Sequence, residues 1–225
     1  CVDKVELYAR QTSGWKPYTV YSLKDNLVGD NCLLIDSDNV LLDCGGKSIT
    51  AKTTNSMYGI YVAGKKGIGI QNCKVDGKKS TSSFSIFLEN VKGSYLFNNE
   101  VSNSRDGIVL KGSKNINITK NTALNDQVYN FHCVDSTTVF GMDNKFKSVK
   151  NCANGWPFKD SKGLYGDKKT TCTTSQDCSS GKKCVSSSCV ACTSSNDGDL
   201  TTNNKFICDD SSWNPCSLNL PNNHG

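Results

Sequence analysis

The chain has 225 residues, of which 36% are hydrophobic, a formal net charge of +5 and 13 cysteines. It contains no run of about 18 apolar residues, so no helical membrane span is expected. Its lysines are scattered and only Arg10 and Arg105 are arginine, which argues against a nucleic-acid surface. So many cysteines point to an oxidising compartment, outside the cell or at its surface, and the odd count leaves at least one thiol without an intrachain partner. The chain opens at Cys1 without an initiator Met, which reads as a processed product.

In residues 1–31 the apolar residues of "VELYA" and "YTVYSL" alternate, the period of a strand. This segment is expected to cap whatever follows, or to be a strand donated to another molecule.

Residues 32–151 repeat. Taking Ile108 and Leu110 as one apolar beat, the same beat returns as Ile86/Leu88, Ile60/Val62 and Cys32/Leu34, and forwards as Phe131/Cys133. A second beat keeps step: Val40/Leu42, Ile68/Ile70, Ser94/Leu96, Ile116/Ile118 and Val139/Gly141, with Ser94 and Gly141 as departures. A third column follows: Gly45, Cys73, Asn99, Asn121 and Asn144. Short strands recurring at 22–28 residues can stack on their counterparts about 4.8 Å apart, which predicts a parallel β-solenoid of about five coils. The asparagines are expected at its corners, where they tolerate the left-handed backbone angles of a tight turn and can hydrogen-bond their neighbours in the stack.

The run "NVLLDCGGKSIT…GIYV…GIGIQNCKVDG…NVKGSYLFNNEVSN…GIVLKGSKNINITKNTALN" resembles the right-handed parallel β-helix repeat family, which includes pectin-lyase-like enzymes and NosD-like surface proteins. The resemblance implies an all-β, right-handed parallel β-helix and is specific for fold rather than function. Enzymes of the family combine calcium-holding acidic residues with a basic residue, or use close carboxylates. The candidates here are Asp36, Asp38 and Asp43, the pair Arg105–Asp106, and His132. Asp36 shares its column with Gly64, Asn90, Gly112 and Asp135, so adjacent coils offer it no carboxylate partner. An enzyme is not the expectation.

Residues between the inward positions face out. For the first beat these are Leu33, Tyr61, Phe87, Val109 and His132; for the second, Leu41, Gly69, Tyr95, Asn117 and Phe140. An apolar outer stripe is covered from within the chain, forms a subunit interface, or serves as an aromatic platform for sugars. Leu33, Tyr61, Phe87, Val109, His132 and Tyr95 are therefore the ligand or interface candidates. Asn117, in "NIT", is the glycosylation candidate and is expected to face solvent. Cys44 and Cys73 fall near equivalent positions of adjacent coils and are expected to be bridged.

From residue 152 to 225 the pattern changes. Cys172, Cys178, Cys184, Cys189, Cys192, Cys208 and Cys216 lie among Ser, Thr and Gly, too few apolar residues for a core, so disulfides are expected to hold this module. It is similar to small knottin-like or dickkopf-like cysteine modules. Cys184, Cys189 and Cys192 have the spacing of plant-type iron–sulfur ligands, but the Ser-rich surroundings and extra cysteines favour disulfides. Neither metal nor cofactor is expected. The leading functional expectation is a secreted, disulfide-stabilised structural protein that assembles with itself, as in a head-to-tail filament. The alternative is a glycan-binding surface protein using Tyr61, Phe87 and Tyr95.

Overall fold

A computed structural model describes residues 3–53, 57–79, 81–160, 162–167, 182–185 and 188–191. Among these residues every regular element is a strand, and three parallel sheets wind into a solenoid of about five turns. Each coil lays one strand in sheet A, then one in sheet C, then one in sheet B. Sheet A stacks Asp3–Leu7, Thr19–Leu23, Val40–Asp43, Gly69–Gln71, Lys92–Phe97, Lys114–Thr119 and Thr137–Phe140. Sheet B runs from Leu33–Ile35 through Tyr58–Ala63, Phe84–Glu89, Asp106–Lys111 and Tyr129–Val134 to Val149–Lys150. Sheet C comprises Leu27–Val28, Ser48–Thr50, Lys74–Asp76, Glu100–Ser102, Thr122–Leu124 and Lys145–Phe146.

The apolar columns fill the interior. Leu42, Ile70, Leu96 and Ile118 stack in register down sheet A, and Ile49, Val75, Val101 and Ala123 down sheet C. All belong to one core. Each side chain loses its water to the coils above and below, so burial is shared along the axis rather than around a centre.

The first coil corrects one expectation. Leu33 pairs with Ile60 and Ile35 with Val62, so Leu33 points into the core and Leu34 takes the outward place beside Tyr61. "CLLI" is apolar throughout and carries no alternation to fix its face, and a one-residue slip exchanges inside for outside. Residues 3–28 also form part of the solenoid itself. Asp3–Leu7 and Thr19–Leu23 are the first two strands of sheet A, and Trp15 packs on Tyr21 with ring centroids 4.4 Å apart.

The asparagine column does not adopt the left-handed turn conformation. The residue before each member does: Asn72, Asn98, Lys120 and Asp143 have φ between 52° and 58°. Asn99, Asn121 and Asn144 instead turn inward and form a buried ladder. Asn99 Oδ1 accepts the Cys73 N–H, Asn121 Oδ1 the Asn99 N–H, and Asn144 Oδ1 the Asn121 N–H, each at 3.0 Å. Each amide nitrogen donates to a carbonyl of the preceding coil: Ile70, Leu96 and Ile118. The ladder satisfies corner backbone groups that the sheets leave unpaired. Above it the column continues as the Cys44–Cys73 disulfide.

The two departures from the second beat have physical causes. Ser94 lies inside, accepting the Ile68 N–H and donating to the Lys92 carbonyl. Any side chain at Gly141 would collide with the Ile118 carbonyl.

Residues 152–160 and 162–167 pack against the last coil of the solenoid. Trp156 plugs the last coil edge-on to Phe131, which stacks on Phe146, and Cys133–Cys152 fastens the segment. Asp167 Oδ1 accepts both the Gly141 N–H and the Trp156 indole N–H at 2.9 Å, while its Oδ2 is buried without a partner. Burial pushes this carboxyl well above its ordinary range, against the smaller pull of those two donors. The folded state therefore holds a proton that the unfolded chain releases. Stability from this group is full below the ordinary carboxylate pKa and falls as pH rises through the raised folded value. Asp167→Asn keeps the accepting oxygen and removes the charge. Thermal melts from pH 4 to pH 8 should show the variant matching or exceeding wild type at neutral pH, with the gain shrinking toward pH 4.

Beyond residue 167, the backbones of Lys182–Val185 and Ser188–Ala191 form an antiparallel pair with Cys184 opposite Cys189. Cys172, Cys178, Cys192, Cys208 and Cys216 lie outside the described residues.

Candidate functional site

The outer face of sheet B carries the most aromatic surface. Tyr61, Phe87, Val109 and His132 are adjacent in register, as the repeat places them. A second column, Tyr58, Phe84, Asp106 and Tyr129, is also in register from strand to strand. Strict alternation would send that column inside. It is turned out because the next residue is small or buried: a side chain at Gly59 would meet Val75 and Ser85, and one at Gly107 would meet Asp126 and Asn130. Ser85 and Asn130 hold the same place and are themselves buried. The motif recurs as "YGIYV", "FSIFL", "DGIVL" and "YNFHC". Its glycines and serine were the available signal for the second column, since Gly within a strand often marks a bend.

The two columns make a block. Tyr58 stacks on Tyr61 at 4.5 Å with 15° between the rings, Tyr61 lies 5.4 Å from Phe87, and Phe84 5.1 Å from Phe87. Tyr58, Tyr61 and Phe84 are half-buried, whereas Phe87 and Val109 are covered. Polar groups flank the block. The Tyr61 hydroxyl donates to Glu89 at 2.6 Å and Lys111 Nζ donates to the other Glu89 oxygen at 2.8 Å. These two contacts, Lys111 first, hold the Glu89 carboxyl below its usual range, while burial and then Glu89 push the Tyr61 phenol up to about 12.

At the opposite flank the Arg105 guanidinium lies 5.9 Å over the Phe84 ring and 3.7 Å from the fully buried Asp106. Asp106 accepts the Tyr129 N–H and faces His132 Nδ1 at 3.3 Å. His132 Nε2 is buried without a hydrogen-bond partner. Below, Asp126 accepts from the Ser104 N–H and the Asn130 amide, and burial pushes its carboxyl up to about 6.

Glu89 is committed to two partners and Asp106 is enclosed, so the face offers no pair of accessible carboxylates. Asp36 caps the backbone N–H groups of Gly14 and Trp15, Asp38 takes the Lys66 N–H, and Asp43 binds the Gly45 N–H, Gln71 and Asn72. All three are turn-builders.

The other candidates are placed differently. Tyr95 lies outward on sheet A with its ring over Gly69, buried in a small cluster with Val20 and Leu41. Asn117 is outward in register, but it is 2% exposed and its Oδ1 accepts from the Thr119 hydroxyl at 2.7 Å. The expected solvent-facing glycosylation acceptor is therefore a buried amide. Among the described residues the free cysteine is Cys32, whose buried thiol donates to the Gly29 carbonyl and is pushed up to about 11, chiefly by burial.

A family model, NosD, described as a periplasmic copper-binding protein, matches residues 6–207. The chain belongs to the NosD family. No curated protein matches it. Among solved structures it is similar to the catalytic domain of a GH87 alpha-1,3-glucanase, D1069A, in complex with tetrasaccharides. Identity is 18% and the TM-score 0.37, with 65% of this chain covered and 28% of the glucanase chain, so the likeness carries no functional argument. The described residues of this NosD-family chain do not fit a copper centre. Among the described residues no three His, Cys, Asp or Glu side chains gather as ligands, and His132, on the fifth strand of sheet B, is four strands from Cys32, which precedes the first. Met57 and Met142 are likewise separated, one beside sheet B and the other following sheet A.

Proposed function

We propose that this protein binds glycans outside the cytosol and that the sheet B aromatic block is the binding surface. The carrying observation is the packed group Tyr58, Tyr61, Phe84 and Phe87, part-exposed and flanked by Glu89–Lys111 and Arg105. Aromatic faces stack on the C–H faces of sugar rings, and the flanking charged groups take hydroxyls. Strand spacing of about 4.8 Å sets the aromatic positions in a fixed row, so the surface is organised before ligand arrives. Two disulfides among the described residues and membership of a periplasmic family support an extracellular or envelope location. Self-assembly has weaker support. Among the described residues the free thiol, Cys32, is too enclosed to cross-link chains, and the sheet A stripe of Val20, Leu41 and Tyr95 is buried.

Tyr61→Ala and Phe87→Ala should abolish retention on the glycans that wild type binds in an array, with circular dichroism unchanged. Binding that survives both substitutions would remove the assignment, and an empty array for wild type would remove the function.

A further inference from the structure

A second recognition site lies on a different face. Where sheet A turns into sheet C, successive coils leave a cleft of about 390 Å³. Asn72, Asn98 and Lys120 stand on one wall and Lys74, Glu100 and Thr122 on the other. Each trio comes from three consecutive coils, because the chain reverses at the left-handed residues 72, 98 and 120 and then enters sheet C. At the top of the cleft, side chains at Gly45 and Gly46 would meet nothing within 4 Å, so that end is open.

The polar groups are held in place. Asn98 donates to Asn72 Oδ1 at 2.8 Å, and Asn72 donates to Asp43 Oδ1 at 3.0 Å. This chain of amides is anchored on a carboxylate, so little side-chain entropy is lost when a ligand arrives. Lys74 and Glu100 are 3.9 Å apart and both exposed, a pair worth little that gives way readily to a ligand anion. Lys120 sits 5.6 Å over the Phe97 ring.

The charges alternate along the axis. Lys74 and Lys120 face the cleft from opposite walls, two coils or about 10 Å apart along the axis, with the acidic Glu100 on the coil between. An anionic group on every sugar would meet Glu100. A neutral polymer would leave both lysines unused. We infer that the A–C corner is a second glycan site, selective for an extended chain whose anionic group recurs on every second sugar. Its carboxylates meet Lys74 and Lys120, and the hydroxyls of the intervening neutral unit donate to Glu100 and pair with Asn98.

This inference stands apart from the sheet B reading and is tested with the full chain by calorimetry. The probes are a hyaluronan hexasaccharide (alternating uronate and neutral sugar), a homouronate hexamer and a neutral chitohexaose. The hyaluronan hexamer should bind best. Lys120→Glu should weaken it about tenfold or more, and Lys120→Arg should retain most of the affinity. Tyr61→Ala should leave this affinity within about twofold. A loss in Tyr61→Ala equal to that in Lys120→Glu would place the ligand on sheet B and overturn the corner site. So would equal binding of all three probes, or no binding of the hyaluronan hexamer by wild type.

Discussion

Asn121→Ala should be among the most damaging single substitutions in the protein. It removes the acceptor for the Asn99 N–H and amide, and the donor to the Leu96 and Thr119 carbonyls, all at a corner closed to water. Each buried group left unsatisfied costs about 1–3 kcal/mol, so a total loss of about 3 kcal/mol or more is expected. Asn98→Gly, at the turn residue before Asn99 on the preceding coil, is the contrast. Its outward side chain can be lost, and glycine accepts the φ of 52°, so the change should stay below about 1 kcal/mol. Urea denaturation of both variants decides the point. Equal effects would mean that the buried ladder is not what makes the corner asparagines stabilising.

Phe131→Ala should cost about 3–5 kcal/mol, the range for emptying a fully buried aromatic site. The ring stacks on Phe146 and receives the edge of Trp156, so its loss opens the plug of the last coil. Because each coil leans on its neighbours, the damage should be felt first at that end. Hydrogen exchange should accelerate over residues 129–146 well before residues 60–88. Uniform acceleration along the chain would show instead that the solenoid opens as one unit.

The solenoid was legible because its signal is repeated. Apolar pairs at Ile60/Val62, Ile86/Leu88 and Ile108/Leu110 reinforce one another, and no single strand has to carry the inference. "CLLI" failed for the opposite reason, since an unbroken apolar run does not say which residue faces in. The asparagine column and its capacity to bond along the stack were visible, but not which residue takes the left-handed turn. A buried hydrogen-bond ladder and a row of left-handed turns leave the same trace, and only the backbone angles at Asn98 and Lys120 separate them. At the candidate site, Tyr61 and Phe87 followed from alternation, whereas Tyr58 and Phe84 broke it and were missed. Asn117 shows the remaining gap: register predicts direction, and what lies over an outward residue is a tertiary fact.

On the proposed function, glycan sits on the sheet B aromatic block. Hydroxyl-radical footprinting of the full chain, with and without a glycan selected on the array, tests it most directly. Saturation should protect Tyr58, Tyr61 and Phe84 together, while the exposed Tyr8 and Tyr18 near the N-terminus stay reactive. Unchanged reactivity of all three at saturating glycan would contradict the account.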